Sequence, residues 1–182
     1  MASVIVPIAE GCEELEAITI LDLLVRAGIN VISAGLVSGA VKCARGTIIV
    51  PDTSLDDAIK HEYDMIVLPG GLPGADHLME DKRLQQQLKD IAQSGGYIAA
   101  ICAAPKVLAN IGLLDNKTVT CYPGALDQFD IPGIQITEKA IVQDGNIITS
   151  RGPGTAIDFV LYLIEVLTSS ALRNEVETAL KR

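Results

Sequence analysis

Cys102 is the residue whose neighbours are best arranged for nucleophilic chemistry. It follows a short, unbroken apolar run from 97 to 101, which predicts a strand buried on both faces, and the residues from Ala103 onward predict a helix. Ala100 and Ala104 flank it as the small residues that a sharp strand-turn-helix elbow requires. A thiol on this turn faces the amide donors of the helix, which favours the thiolate and predicts a nucleophile elbow. The alternative is a small, buried core cysteine, as most free cysteines are.

The other reactive side chains give weaker indications of a catalytic or metal site. His61 lies among charged residues and His77 near a predicted helix start, so neither indicates a Cys-His dyad. No C-x-x-C pair occurs among the four cysteines, so neither a zinc site nor a disulfide framework is predicted. Cys12 and Cys121 are expected at the same sheet edge as Cys102, where one of them could resolve an oxidised Cys102 or both could be inert packing. The glycine-rich loops lack the P-loop lysine and the G-x-G-x-x-G spacing, which argues against nucleotide binding.

Around Cys102 the sequence alternates strands and helices. Strands are predicted at 3–8, 29–35, 64–68, 97–101 and 117–121, with strand pairs at 41–50 and 140–149. Helices are predicted at 13–27, 55–60, 81–94, 155–167, 171–180 and from residue 103. This alternation indicates a single α/β domain over residues 1–182, with a mostly parallel sheet and helices on both faces. Such sheets bind ligands at the carboxyl ends of their strands, where the acidic and glycine-rich loops also fall.

Composition narrows the class of partner. The chain has 182 residues, 49% hydrophobic and 20% charged, which argues against disorder. Its net charge of -9 argues against a nucleic-acid or anionic membrane partner, so a small molecule or another protein is expected. The apolar start runs straight into acidic residues, which indicates a first strand rather than a signal peptide, and the apolar segment 155–167 is too short to span a bilayer. With reduced thiols, the expected location is the cytoplasm.

Four motifs occur in order along the chain. They are Gly-Cys-Glu-Glu-Leu-Glu at 11–16, Asp-Met-Ile-Val-Leu-Pro-Gly-Gly at 64–71, Ala-Ala-Ile-Cys-Ala-Ala-Pro at 99–105 and Ser-Arg-Gly-Pro-Gly-Thr at 150–155. Together they resemble the ThiJ/PfpI superfamily, in its Parkinson-associated deglycase branch, from about residue 4 to residue 176. The resemblance implies a flavodoxin-like sandwich and a homodimer. It also implies activity as a glyoxalase without glutathione, deglycation of proteins or nucleotides, oxidative-stress sensing or chaperone holding.

The resemblance also implies roles for individual residues. Cys102 would be the reactive centre with Glu16 beside it, Gly71 would supply an amide donor near the sulfur, and Arg45 would lie near the dimer contact. Gly70 and Arg151 are expected near the site, in the loops that surround it. One departure concerns Tyr122, which stands before Pro123 where animal members have a histidine. Because tyrosine is a poor base at neutral pH, a cysteine peptidase or amidotransferase activity loses support.

A carboxyl group beside a thiolate is pushed toward its protonated form by the neighbouring charge and by desolvation. A protonated Glu16 can then donate a hydrogen bond to Cys102 and move protons between adjacent carbons of an α-oxoaldehyde bound to the sulfur. The amides of Gly71 and Ala103 are placed to stabilise the oxyanion, and no metal or cofactor is required. The same thiolate is what peroxide oxidises, so a redox sensor or redox-regulated chaperone without turnover remains the alternative function.

Overall fold

The computed structural model describes residues 1–181, which form eleven strands and seven α-helices. The strands are β1 Ser3–Ile8, β2 Asn30–Gly35, β3 Val41–Lys42, β4 Ile48–Ile49, β5 Thr53–Ser54, β6 Met65–Leu68, β7 Tyr97–Ile101, β8 Thr118–Val119, β9 Gln135–Ile136, β10 Ile141–Asp144 and β11 Ile147–Ser150. The helices are α1 Glu14–Arg26, α2 Leu55–Ala58, α3 Gly74–Glu80, α4 Lys82–Ser94, α5 Pro105–Asn110, α6 Ala156–Leu167 and α7 Ser170–Ala179. None of the helices in this part of the chain is both long and apolar enough to cross a membrane.

Seven strands form one sheet in the order β10, β11, β7, β6, β1, β2, β5. Every neighbouring pair is parallel except β10 with β11, which form an antiparallel hairpin. The hairpin β3–β4 and the parallel pair β8–β9 stand outside this sheet. The prediction of a mostly parallel α/β sheet is therefore confirmed, as are both strand pairs. Crossover helices make this order possible, because consecutive parallel strands need a long connection.

The sheet separates two apolar cores. Along β1, Val4, Val6 and Ile8 pack in the core that contains α1 and α6, whereas Ile5 packs in the core that contains α4 and α5. Alternate residues of a strand point to opposite faces, so a strand covered on both sides is apolar at every position. The predicted helices on both faces of the sheet are confirmed, with Phe159 of α6 among the largest fully buried side chains.

Some boundaries differ from the predictions. The elbow helix begins at Pro105 rather than at Ala103, because residues 102–104 form the turn itself and proline suits the first helical position. Helix α3 was indicated only by a helix start near His77, and the two-residue strands β5 and β9 were not predicted. Strands this short leave too little periodicity to detect.

The sheet order brings four strand ends together. The carboxyl ends of β11, β7, β6 and β1 are neighbours, so the loops after residues 150, 101, 68 and 8 converge on one edge. The first three of these loops contain Arg151, Cys102 and Gly70. The fourth leads directly into α1, which contains Glu16. The fold therefore places the candidate residues where open parallel sheets bind ligands.

Candidate active site

Cys102 occupies a strained turn directly after β7. Its φ angle of 63° lies in the left-handed region, which residues other than glycine seldom adopt. Its N–H donates to the carbonyl of Ser150 at 3.0 Å, and its own carbonyl accepts from the N–H of Tyr122 at 2.8 Å. The backbone is thus held on both sides in a conformation that costs energy. Strain of this kind is typical of a nucleophile elbow, which projects the side chain from the end of the sheet.

Glu16 lies in the first turn of α1 with its side chain fully buried. Its Oε2 accepts a hydrogen bond of 2.7 Å from the N–H of Gly70, while Oε1 has no nitrogen or oxygen partner among residues 1–181. A Cβ atom on Gly70 would lie only 2.8 Å from the Cβ of Cys102 and 2.9 Å from Oε2 of Glu16. The thiol and the carboxyl group therefore meet across a glycine that no larger residue can replace without displacing one of them.

Burial dominates the acid–base properties of this pair. It raises the pKa of Glu16 to about 7, against hydrogen bonds from Gly70 and from the Cys102 thiol that favour the carboxylate. Burial also raises the pKa of Cys102 to about 12, reinforced by the charge of Glu16 and by its hydrogen bond. Because the groups interact directly, these values describe the pair, which loses one proton at about 7 and the second at about 12. Between about pH 7 and about pH 12 the pair therefore holds a single proton.

From the sequence, the helix terminus is expected to lower the pKa of the Cys102 thiol. The N–H groups of Gly71 and Ala103 do act in that direction on the Cys102 sulfur. Their effect is smaller than that of burial and of the Glu16 charge, so the expectation of an independently acidic thiol is wrong. A thiolate forms here when Glu16 takes up the proton, since the repulsion between the two charges then disappears.

The glycine-rich loop after β6 packs directly on the loop that leads into α1. Gly71 has a φ of 90°, and a Cβ atom there would lie 2.3 Å from the backbone nitrogen of Glu13. The same N–H of Glu13 donates to the carbonyl of Gly70 at 2.9 Å. A close backbone contact therefore fixes the two loops to each other, and it orients the Gly70 N–H toward Glu16 and the Gly71 N–H toward the sulfur.

The remaining candidates lie at the rim. Tyr122 is half exposed, and its ring packs 3.4 Å from the position of a Cβ on Gly152. Arg151 is next in sequence to Ser150, whose carbonyl accepts a hydrogen bond from the Cys102 N–H. The guanidinium of Arg151 lies 3.7 Å from the carboxylate of Glu138. Among residues 1–181, no three His, Cys, Asp or Glu side chains are grouped so that they could hold a metal ion.

The two histidines lie apart from the acid–base pair in their contacts. Nδ1 of His77 lies 2.8 Å from the carbonyl oxygen of Glu10, and His61 is exposed.

Cys12 shares a core with Cys102, whereas Cys121 lies in the core on the opposite face of the sheet. The cysteines thus pack on two faces of the sheet but at the one edge that was predicted, because Tyr122, the residue after Cys121, donates its N–H to the Cys102 carbonyl and Gly71 contacts the backbone of Cys12.

Two pairs of residues were missed by the sequence analysis. The sulfur of Cys12 lies 3.5 Å from that of Cys43, a contact that the sequence does not predict. Lys106, buried one turn after Cys102, forms an ion pair with Asp76 and so joins α5 to α3. A lysine within an otherwise apolar elbow helix was the available signal for the second pair, because buried lysines need a partner. The first pair left no signal, since its members are distant in sequence.

Comparison with known proteins gives a consistent result. The DJ-1/PfpI family model matches residues 2–166. Drosophila melanogaster protein DJ-1beta is 45% identical over 179 residues, 98% of this chain and 96% of that protein. A glutathione-independent glyoxalase of Caenorhabditis elegans is 40% identical, covering 92% of this chain and 89% of its own length. The crystal structure of the Drosophila protein superimposes with a TM-score of 0.94 at 44% identity, over 98% of this chain and 97% of that chain.

Proposed function

The chain belongs to the DJ-1/PfpI family, and from that premise we propose that it is a cysteine-dependent glyoxalase or deglycase. Its substrates would be small α-oxoaldehydes or their adducts on proteins or nucleotides, and no cofactor takes part. The supporting observation is the buried Glu16, whose Oε1 is left without a nitrogen or oxygen partner in residues 1–181 while Oε2 is held by Gly70 beside the Cys102 thiol. The C. elegans relative, a glutathione-independent glyoxalase, supports the glyoxalase part of this proposal.

The proposed reaction uses the single proton that the pair holds near neutral pH. Glu16 accepts the proton of Cys102 as the sulfur attacks the aldehyde carbon, and it returns the proton to the oxygen of the resulting hemithioacetal. Glu16 then removes the proton from the carbon bonded to sulfur and gives it to the neighbouring carbonyl oxygen, which forms an enediol. It next takes the hydroxyl proton from the carbon bonded to sulfur and delivers it to the neighbouring carbon, which forms the thioester. Water hydrolyses the resulting thioester to a 2-hydroxy acid and frees Cys102. The N–H groups of Gly71 and Ala103, which point at the sulfur, are the nearest donors for the oxyanions.

The test is conversion of methylglyoxal to lactate by the purified protein without glutathione. Cys102→Ser should abolish turnover, and Glu16→Gln should lower it about 10²- to 10⁴-fold, since general acid–base catalysis contributes that much. Glu10→Gln is the matched control, because Glu10 is an exposed acid of the same loop and should leave turnover unchanged. Turnover that persists in Glu16→Gln would remove the proton transfer from the mechanism.

A redox sensor is the second candidate function. A Toxoplasma gondii DJ-1 that is 36% identical, covers 99% of this chain and has a TM-score of 0.92 is known in an oxidised form. In this chain a protonated Glu16 would donate a hydrogen bond to a sulfinate on Cys102. If sensing is the only function, the native protein should show no turnover. Glu16→Gln should then leave peroxide-driven sulfinate formation nearly intact, and Glu16→Asp, which shortens the reach, should weaken it.

A homodimer is proposed from the apolar surface around α1. Leu15, Ile18 and Val25 of this helix are about half exposed, and Ile48 of the adjoining hairpin is 65% exposed. The carboxylate of Glu14 joins the two elements by accepting hydrogen bonds from backbone N–H groups of the hairpin turn. Light scattering should report about twice the chain mass of 19.2 kDa. Ile18→Glu should give a monomer, whereas Ile157→Glu on α6 should not; a native mass of one chain would refute the proposal.

A further inference from the structure

The sulfur atoms of Cys12 and Cys43 are 3.5 Å apart, and both residues are at least nine-tenths buried. Cys12 lies in the loop between β1 and α1, and Cys43 lies at the start of the turn between β3 and β4. Both sulfurs therefore belong to connecting segments rather than to rigid strands. A disulfide bond of about 2.05 Å needs them to approach by only about 1.5 Å. We propose that Cys12 and Cys43 are a second oxidation site of this protein, which hydrogen peroxide converts to an intramolecular disulfide independently of Cys102.

The contacts of the two thiols assign them different roles. Cys12 is fully buried, which raises the pKa of its thiol, and it donates its S–H to the sulfur of Cys43. This hydrogen bond raises the pKa of Cys12 further and opposes the effect of burial on the pKa of Cys43. Cys43 keeps 4% of its surface exposed whereas Cys12 has none, so peroxide has its access to the pair through Cys43. Cys43 is therefore the sulfur that peroxide reaches first, and Cys12 is the resolving thiol.

Oxidation proceeds in two steps. The Cys43 sulfur attacks one oxygen of hydrogen peroxide, the O–O bond breaks, and water leaves with Cys43 as a sulfenic acid. The Cys12 sulfur then displaces the hydroxyl group, which leaves as a second water with the Cys12 proton, and the S–S bond forms. The two thiols lose two electrons in total, and peroxide accepts both. The bond closes a loop between two segments that already contact each other.

The disulfide would act on the loop that supports the active site. The Cys12 carbonyl accepts from the N–H of Ala44 at 2.8 Å, and the Gly11 N–H donates to the carbonyl of Lys42 at 2.8 Å. On the other side of this loop, a Cβ on Gly74 would lie 2.5 Å from the Cys12 nitrogen. The loop is thus held between the hairpin and the glycine-rich segment. A disulfide bond between Cys12 and the hairpin should restrain the opening of the Cys12 loop without contacting the Cys102 thiol.

Peptide mapping tests the proposal directly, because trypsin leaves each cysteine in a different peptide. Cys12 falls in residues 1–26, Cys43 in 43–45, Cys102 in 90–106 and Cys121 in 118–139. After hydrogen peroxide, blocking of free thiols and non-reducing digestion, we expect peptide 1–26 joined to peptide 43–45 and released by reduction. The linkage should also form in Cys102→Ser, and Cys121→Ser is the matched control that retains it. Failure of this test leaves the proposed activity of Cys102 untouched, and the reverse also holds.

Two results would overturn the proposal. One is a Cys12 that is fully recovered as free thiol under conditions where Cys102 is oxidised. The other is peptide 1–26 joined to peptide 90–106, which would make Cys12 the resolving partner of Cys102 instead. A second measurement needs no variant: in the oxidised protein the amide hydrogens of Gly11 and Ala44 should exchange more slowly than in the reduced protein. Unchanged exchange at both amides, with the linkage present, would contradict the restraint on the loop.

Discussion

Two buried pairs of groups on the same side of the sheet contain three of the four cysteines, and they differ in what surrounds the sulfur. At the elbow, the Cys102 thiol meets a carboxyl group and the N–H groups of Gly71 and Ala103. At the hairpin, Cys12 and Cys43 meet each other, with the acidic charge of Glu14 nearby. Burial raises the pKa of the thiol in all three residues.

Proton acceptance separates the two pairs. Above about pH 7 the pair of Glu16 and Cys102 has lost one proton, and in this state Glu16 can take the Cys102 proton and leave the sulfur charged next to amide donors. Cys12 has another buried thiol as its side-chain partner, and both burial and the charge of Glu14 disfavour a thiolate on either sulfur. The first arrangement suits attack on a carbonyl carbon, whereas the second suits slow oxidation that ends in a bond between the sulfurs. Burial alone therefore does not indicate whether a cysteine is inert.

The largest effect should come from filling the space between the thiol and the carboxyl group. Gly70→Ala would place a methyl group 2.8 Å from the Cβ of Cys102 and 2.9 Å from Glu16 Oε2, so the two groups must separate. Turnover of methylglyoxal should fall by about 10²-fold or more, as misplacement of reacting groups by about 1 Å does. Gly154→Ala is the control, because nothing lies within 4 Å of its Cβ position. Equal activities in the two variants would contradict the described geometry.

The pH dependence of stability should reveal the buried carboxyl group. Glu16 has its pKa raised from 4.5 to about 7, so the folded chain keeps a proton that the unfolded chain releases. Its contribution is therefore complete below about pH 4.5 and is lost as pH rises toward about 7. The free energy of unfolding should fall by about 3 kcal/mol over this range relative to Glu16→Gln. Urea titrations of both proteins at several pH values measure this difference in the free energy of unfolding. If the two proteins showed the same dependence on pH, the carboxyl group would be exposed to water.

A smaller effect should appear in thiol alkylation. The rate at which iodoacetamide labels Cys102 should rise about tenfold per pH unit as the pH approaches about 7, where the pair loses its first proton, and level off above it. Cys43, whose pKa is raised by burial without a carboxyl partner in contact, should show no step in that range. The step should vanish in Glu16→Gln. Mass spectrometry of the separate tryptic peptides follows each thiol, and identical pH profiles for the two would erase the distinction between the pairs.

Much of the fold could be predicted from local patterns. The apolar run 97–101 predicted β7, and the small residues Ala100 and Ala104 predicted a sharp turn at Cys102. In the structure Cys102 has a φ of 63°, which is typical of such a turn. The α/β alternation predicted a mostly parallel sheet, and the four motifs predicted the family. Helix α3 was only hinted at, because its seven residues are too few for a clear helical period.

The sequence by itself determined the elements, the sheet class and the identity of the candidate nucleophile, because side-chain periodicity and small residues act within a few positions along the chain. Only the tertiary structure decided the direction of the Cys102 pKa, the pairing of Cys12 with Cys43 and the ion pair of Lys106 with Asp76. Each of these depends on how deeply a group is buried and on which distant segment supplies its neighbour. Desolvation and contact distance are properties of the packed chain, and residue order alone does not contain them.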